Sequence, residues 1–320
     1  MRKGGPHVIV LTVILKHKSG WWAALLALSW LAWVPSASAE KLRVLTSFLP
    51  VYCFAANVAG EHATVENFLP PGAGPHDYQF TPRDIRKLTE ADVILVNGLG
   101  MENWLNKAIE SSGSKKAGKL TELAAGLKKE QLIKDIHGIS LGGKDDHDHS
   151  HGPNPHIWLD PRLAIHCVKN VEAALSKADP KNAANYAANA KAYIAKLEKL
   201  DADIMEMLKP VKGGSFVTFH NAFPYMVKRY DLKLAGVVEE VPEVQPSPRY
   251  LGKLLDVMRK SKTKVLFAEP QFPKKIAERI AADAGVPLAT LDTLETGDFK
   301  LTTYEEGMRR NAETLQRYLK

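Results

Sequence analysis

The apolar positions of this chain switch repeatedly between two periods. Short continuous runs such as Val93-Ile94-Leu95-Val96 and Val265-Leu266-Phe267-Ala268 read as strands covered on both faces. Between them lie stretches with apolar residues at helical spacing, several opened by a proline at Pro50, Pro82, Pro161, Pro248 or Pro273. Strands are expected at 41–47, 64–69, 93–96, 215–219, 234–238, 265–268 and 288–291. Helices are expected at 50–59, 82–90, 101–110, 161–177, 222–230, 248–260, 273–284 and 304–319. Such alternation predicts an α/β protein with mostly parallel sheets flanked by helices.

One segment interrupts the alternation. Tyr186, Ala190, Tyr193, Leu197, Leu200, Ile204 and Leu208 recur at helical spacing, between Asp179-Pro180 and the breakers Pro210 and Gly213-Gly214. At 1.5 Å per residue this helix would be roughly 40 Å long. The strand–helix pattern then restarts, so a rigid helix joining two lobes is expected. The boundaries are an N-terminal lobe over 40–180, a linking helix over 181–209 and a C-terminal lobe over 210–320.

Residues 1–39 stand apart. Arg2, Lys3, Lys16 and Lys18 precede an apolar run over 21–34 and the small residues Ala37-Ser38-Ala39, the pattern of a cleaved signal peptide. Export to the periplasm is the expectation. The formal charge of the whole chain is +7, and four of its positive charges lie in that segment, which has no acid. The remainder is only mildly basic, without a basic stripe interleaved with aromatics, which excludes nucleic acid as an expected partner. The 320 residues are 45% hydrophobic and 25% charged, enough for a sizeable core. The two cysteines, Cys53 and Cys167, are compatible with a disulfide or with two buried thiols.

Two motifs are decoys. Gly138-Ile139-Ser140-Leu141-Gly142 has the spacing of a nucleophile elbow but no helix follows it. The run Gly113 to Lys119 resembles a phosphate loop, with Leu120 where Ser or Thr belongs.

Three histidines are different. His76 lies in Gly74-Pro75-His76-Asp77-Tyr78, His156 in Asn154-Pro155-His156-Ile157-Trp158-Leu159-Asp160-Pro161, and His220 in Phe219-His220-Asn221. Each stands at an expected strand or loop end, where an open α/β sheet gathers its ligand. Three neutral imidazoles suit Zn(II) and leave a fourth donor to find. Glu269 and Asp292 both stand at later strand ends and are alternatives for it. Asp77, Asp160 and Asn221 are candidates to orient the imidazoles. Directly upstream of the His156 motif runs Asp145-Asp146-His147-Asp148-His149-Ser150-His151, expected to be a loop that captures metal weakly.

These motifs resemble those of the zinc/manganese-type solute-binding proteins of bacterial ABC transporters. Residues 237–250 and Phe267-Ala268-Glu269-Pro270-Gln271-Phe272 resemble the second lobe of the same family. The resemblance covers about 40–320. It implies two α/β lobes joined by a long helix, metal in the cleft, and no catalysis. It also implies delivery of the metal by a monomer to a permease in the inner membrane. By motif match the ligands are His76, His156, His220 and, at a late strand end, Asp292, with Glu269 as the alternative fourth ligand. His220 stands where manganese-type members often carry Glu, which points to Zn(II) over Mn(II) or iron. The His147, His149 and His151 run resembles the loop of zinc-uptake members. A zinc hydrolase and a surface adhesin are the competing readings; no general base at motif spacing supports the first, and no lipid-anchor cysteine the second.

Overall fold

The computed structural model describes residues 40–76, 78–111, 120–134, 152–239 and 246–320. The expected signal segment, Asp77, the His147–His149–His151 run and both decoy glycine runs lie outside the described residues.

Two parallel four-stranded sheets form the framework. The first contains β1 (Leu42–Thr46), β2 (Ala63–Asn67), β3 (Val93–Val96) and β4 (Leu120–Glu122), in the order β2-β1-β3-β4. The second contains β5 (Ser215–His220), β6 (Lys233–Glu239), β7 (Leu266–Ala268) and β8 (Leu288–Thr290), in the order β6-β5-β7-β8. All pairs are parallel; Val44 sits opposite both Val65 and Val93, and Thr218 opposite both Val237 and Phe267. In each sheet the winding reverses between the first and third strands, so the loops beyond their carboxyl ends enclose a crevice.

The helices follow the expected punctuation. α1 (Leu49–Ala59) has Pro50 in its first turn and stops at Gly60, whose φ of +54° suits glycine. α2 (Pro82–Glu90) starts with a capping box between Thr81 and Asp84. α3 (Asn103–Ser111) follows β3, and α4 (Pro161–Ala178) is capped by Asp160, whose Oδ1 accepts from the Arg162 amide. α5 (Ala183–Leu208) has 26 residues, about 39 Å of helix. Its buried positions are the seven read from the spacing, with Asp201 added. α6 (Pro224–Arg229), α7 (Pro248–Lys260), α8 (Lys274–Ala284) and α9 (Thr303–Leu319) complete the described helices.

Residues 41–320 form one compact unit with a shared core. The main apolar cluster runs from Val44 and Phe54 through Tyr193 and Leu200 to Phe216, Phe267 and Leu315, and so includes both sheets. A smaller cluster, with Val217, Phe219, Leu254 and Ile280, lies under α7 and α8. α9, from the last part of the chain, crosses back onto α1 and α5: the rings of Phe54 and Tyr304 meet edge-on at 5.0 Å, and Tyr304 Oη donates to the Trp158 carbonyl. Asp201, buried in α5, accepts from Arg162 Nε at 2.8 Å and Arg229 Nε at 2.8 Å, tying α4 and α6 to the long helix. Cys53 and Cys167 are free and buried, and burial pushes each thiol up to about 12.

Candidate metal site

Three loops and the end of β5 bring His76, His156, Glu295 and His220 together, with one ligand atom from each within 4.8 Å of the others. His76 ends the breaker-rich loop after β2. That loop is pinned by Trp104 Nε1, which donates to the Pro75 carbonyl at 2.7 Å. His156 precedes a single 3₁₀ turn (Ile157–Leu159) leading into α4, and Asn97 Nδ2 donates to the Pro155 carbonyl at 2.9 Å. Both prolines directly precede a histidine, and both carbonyls are held by side chains of the corner between β3 and α3. Glu102 locks that corner: its carboxylate accepts from Ser47 Oγ at 2.7 Å and from the Asn97 and Gly98 amides at 2.8 and 3.1 Å. His220 is the last residue of β5.

The tautomers follow from the partners. Asn154 Oδ1 accepts from the His156 amide at 3.0 Å, which identifies it as the oxygen, and it lies 3.0 Å from His156 Nδ1. Nδ1 of His156 thus carries the proton and Nε2 a lone pair. Glu269 Oε1 accepts from the His220 amide at 2.9 Å, and Oε2 pairs closely with His220 Nδ1. His220 Nε2 likewise points inward. The Nε2 atoms of His156 and His220 are 3.2 Å apart. Glu295 Oε1 lies 3.4, 3.2 and 3.7 Å from Nε2 of His76, His156 and His220. Donors about 2.0–2.1 Å from a tetrahedral zinc stand about 3.3–3.4 Å from one another. Four separations among these atoms, 3.2 to 3.7 Å, are thus close to the edge of that tetrahedron, and all four atoms lie within 4.8 Å of one another.

Charge supports the same arrangement. Burial drives the His156 imidazole down to about 3, and the neighbouring histidines reinforce this, so it is neutral. Burial also disfavours a charged His220, but the Glu269 carboxylate outweighs it and raises His220 to about 9. Burial would raise Glu295; the three imidazoles outweigh that and hold its carboxyl well below the usual range. In metal-free protein a proton on His220 Nε2 thus faces the lone pair of His156 Nε2 and the Glu295 carboxylate. Nε2 of His76 and Oε1 of Glu295 are buried without a conventional hydrogen-bond partner. His76 has the most exposed imidazole of the three, at 23%. It faces a cleft of about 620 Å³ lined also by Tyr78, Glu239, Gln271 and Phe272.

The expected fourth donors are elsewhere. Asp292 Oδ1 accepts from the Leu294 amide at 2.8 Å, and Asn311 of α9 brackets the Asp292 backbone through its amide and carbonyl. Asp292 is thus spent on forming a turn and does not join the imidazoles. Glu269 lies behind His220, on Nδ1, and faces away from the shared centre. Neither Asp160 nor Asn221 orients an imidazole through its side chain: Asp160 caps α4, and Asn221 offers its carbonyl to Asn154 Nδ2 at 2.7 Å. Asn154 orients His156, and Glu269 orients His220.

Glu295 is the residue that sequence reasoning missed. The turn begun by Asp292 takes Leu294 to a φ of +60°, strained for a branched side chain by of order 1–3 kcal/mol, and so turns Glu295 inward. Leu294 packs onto α9 at Gly307, where a Cβ would lie 2.2 Å from Leu294 Cδ2. Trp158 Nε1 donates to the Thr293 carbonyl at 2.7 Å and ties the same turn to the His156 segment. The available signal was a second carboxylate three residues beyond the strand-end Asp.

Comparison with known proteins identifies the family. A family model described as zinc-uptake complex component A, periplasmic, matches residues 44–318. Zinc-binding protein AdcA of Streptococcus pyogenes serotype M3 (strain ATCC BAA-595 / MGAS315) is 34% identical over 286 residues, 86% of this chain and 56% of AdcA. The chain thus spans about half the length of these streptococcal relatives. The high-affinity zinc uptake system protein ZnuA of Bacillus subtilis (strain 168) is 34% identical over 266 residues, 80% of this chain and 79% of ZnuA. Among solved structures, the solute-binding protein FpvC of Pseudomonas aeruginosa in complex with Mn²⁺ superposes with a TM-score of 0.77 at 31% identity, covering 88% of this chain and 99% of FpvC. The chain belongs to the family of periplasmic zinc-uptake component A proteins.

Proposed function

We propose that this protein captures one Zn(II) ion through Nε2 of His76, His156 and His220 and one oxygen of Glu295, and hands it to the permease of an ABC importer in the bacterial inner membrane. The supporting observation is the convergence of three imidazoles and one carboxylate, from four separate segments of the chain, to within 4.8 Å of one another. Three nitrogens and one monodentate carboxylate suit zinc, whereas manganese favours more oxygens and a higher coordination number. Capture takes place in the periplasm, consistent with the signal-like segment 1–39. The protein performs no chemistry on its cargo: the carboxylate closes the fourth position that a hydrolytic site would leave open to water. The run His147, His149, His151 gathers zinc weakly before it reaches the cleft.

A manganese-binding role is the second reading, favoured by the Mn²⁺ complex of the similar FpvC. Competition titration of zinc against manganese on the chain, with His156→Ala as control, decides between them. Tight 1:1 zinc binding, lost in His156→Ala, is expected; tighter manganese binding by the parent would overturn the zinc assignment.

A further inference from the structure

Gln271 has no role in the ligand set, yet its side chain is placed against it. It follows the Glu269-Pro270 step beyond β7 and lines the mouth of the cleft. Its Nε2 lies 2.9 Å from Thr293 Oγ1, 3.1 Å from Glu295 Oε2 and 3.5 Å from Glu269 Oε2. Carboxylate oxygens only accept, so it is the amide nitrogen that faces them. The contact to Glu295 is to Oε2, whereas Oε1 is the oxygen that faces the three imidazoles. One oxygen of Glu295 is turned to the metal position and the other is occupied by an amide donor.

We propose that Gln271 is a selectivity residue, which holds Glu295 to a single metal-facing oxygen and so keeps the site four-coordinate. This rests on the ligand set proposed above. A carboxylate with both oxygens free can swing to bind a cation through two, adding a fifth donor and a second oxygen. That change weakens the preference for the small tetrahedral ion and suits manganese better. Thr293 fixes the amide from its other side, and Trp158 fixes Thr293 through its carbonyl, so the donor is held by packed structure. Gln271 is half-buried at the cleft mouth, where an apolar replacement of equal size removes the donor without opening a cavity.

The test uses Gln271→Leu and Gln271→Met, with zinc, manganese and cobalt(II) each added as the metal alone. Metal-free thermal unfolding of both variants should match the parent. The parent's cobalt complex is expected to show the intense visible bands of tetrahedral Co(II). In both variants these bands should weaken as a fifth donor enters, and the zinc-to-manganese affinity ratio should fall about tenfold or more. Variants that bind one metal per chain with the parent's spectrum and ratio would overturn the proposal and leave the ligand set standing. An equal loss of zinc and manganese with an unchanged cobalt spectrum would also overturn it. Failure of the ligand set itself reads differently: His156→Ala would then bind zinc as the parent does.

Discussion

Each sheet has a buried carboxylate over its switch point, and the two are used in opposite ways. Glu102 spans the ends of β1 and β3, and Glu269 spans the ends of β5 and β7. Glu102 accepts only from neutral donors, Ser47 Oγ and the Asn97 and Gly98 amides, and its burial raises it to about 7. Glu269 accepts from the His220 amide and pairs with its imidazole. The first carboxylate stiffens a corner whose side chains then grip Pro75 and Pro155. The second holds the His220 imidazole directly and sets its charge. One position in a repeated topology thus supplies scaffold in one sheet and tuning in the other.

The largest test of this contrast removes the ligands the two carboxylates serve. If the ~10–16 kcal/mol of a structural zinc site divides roughly evenly over four donors, His156→Ala, His220→Ala or Glu295→Ala each weakens zinc by on the order of 10²–10³-fold, measured by chelator competition. Equal affinity in Glu295→Ala and the parent would remove it from the ligand set. Next comes Glu269→Gln, which keeps shape and loses charge. Zinc affinity should fall about 10–100-fold, as for partners behind a ligating imidazole.

The pH dependence separates the two carboxylates more sharply. His220 titrates at about 9 in the metal-free site, so zinc displaces one proton below that pH. Affinity should therefore rise with pH, about tenfold per unit from 7 to 9, and calorimetry in buffers of different ionisation enthalpy should count one proton released. Glu269→Gln removes the group that holds the proton and should flatten this slope. Glu102→Gln should leave it unchanged. Its effect lies in stability: a carboxyl raised from 4.5 to about 7 favours the folded state most at low pH, and that contribution is lost as pH rises between those values. Urea unfolding of the parent should show this decline, relative to a flat response in Glu102→Gln.

The smallest effect is expected at Asp292. Asp292→Ala removes the acceptor for the Leu294 amide, worth about 1 kcal/mol of stability. Zinc affinity should drop far less than in Glu295→Ala. The reverse ranking, by the same titration, would restore Asp292 as the fourth donor.

The sequence made most of the framework legible because prolines, glycines and short apolar runs act locally. Pro161 with Asp160, Ser247-Pro248 and the seven apolar positions of α5 mark helices that need no distant partner to be recognised. His76, His156 and His220 were legible for the same reason, the first two beside breakers and the third at the end of an apolar strand run. Glu295 was not. Its direction depends on Leu294 at positive φ, on Asn311 bracketing Asp292 and on Gly307, and those residues meet only in the folded chain. The nearer and more conventional strand-end acid, Asp292, was chosen instead. The shared core was hidden likewise, since the helical spacing of α9 shows an apolar face but not that it covers α1 and α5.

Gly307 has a consequence for how such chains diverge. It touches no donor, and no property of a metal would select it. Yet one methyl group there would displace Leu294, and with it the turn that aims Glu295. A descendant could retain His76, His156, His220 and Glu295, match every motif by eye, and still bring only the three imidazoles together. Loss of function along this lineage can begin on a helix surface, silent to any inspection confined to the ligands.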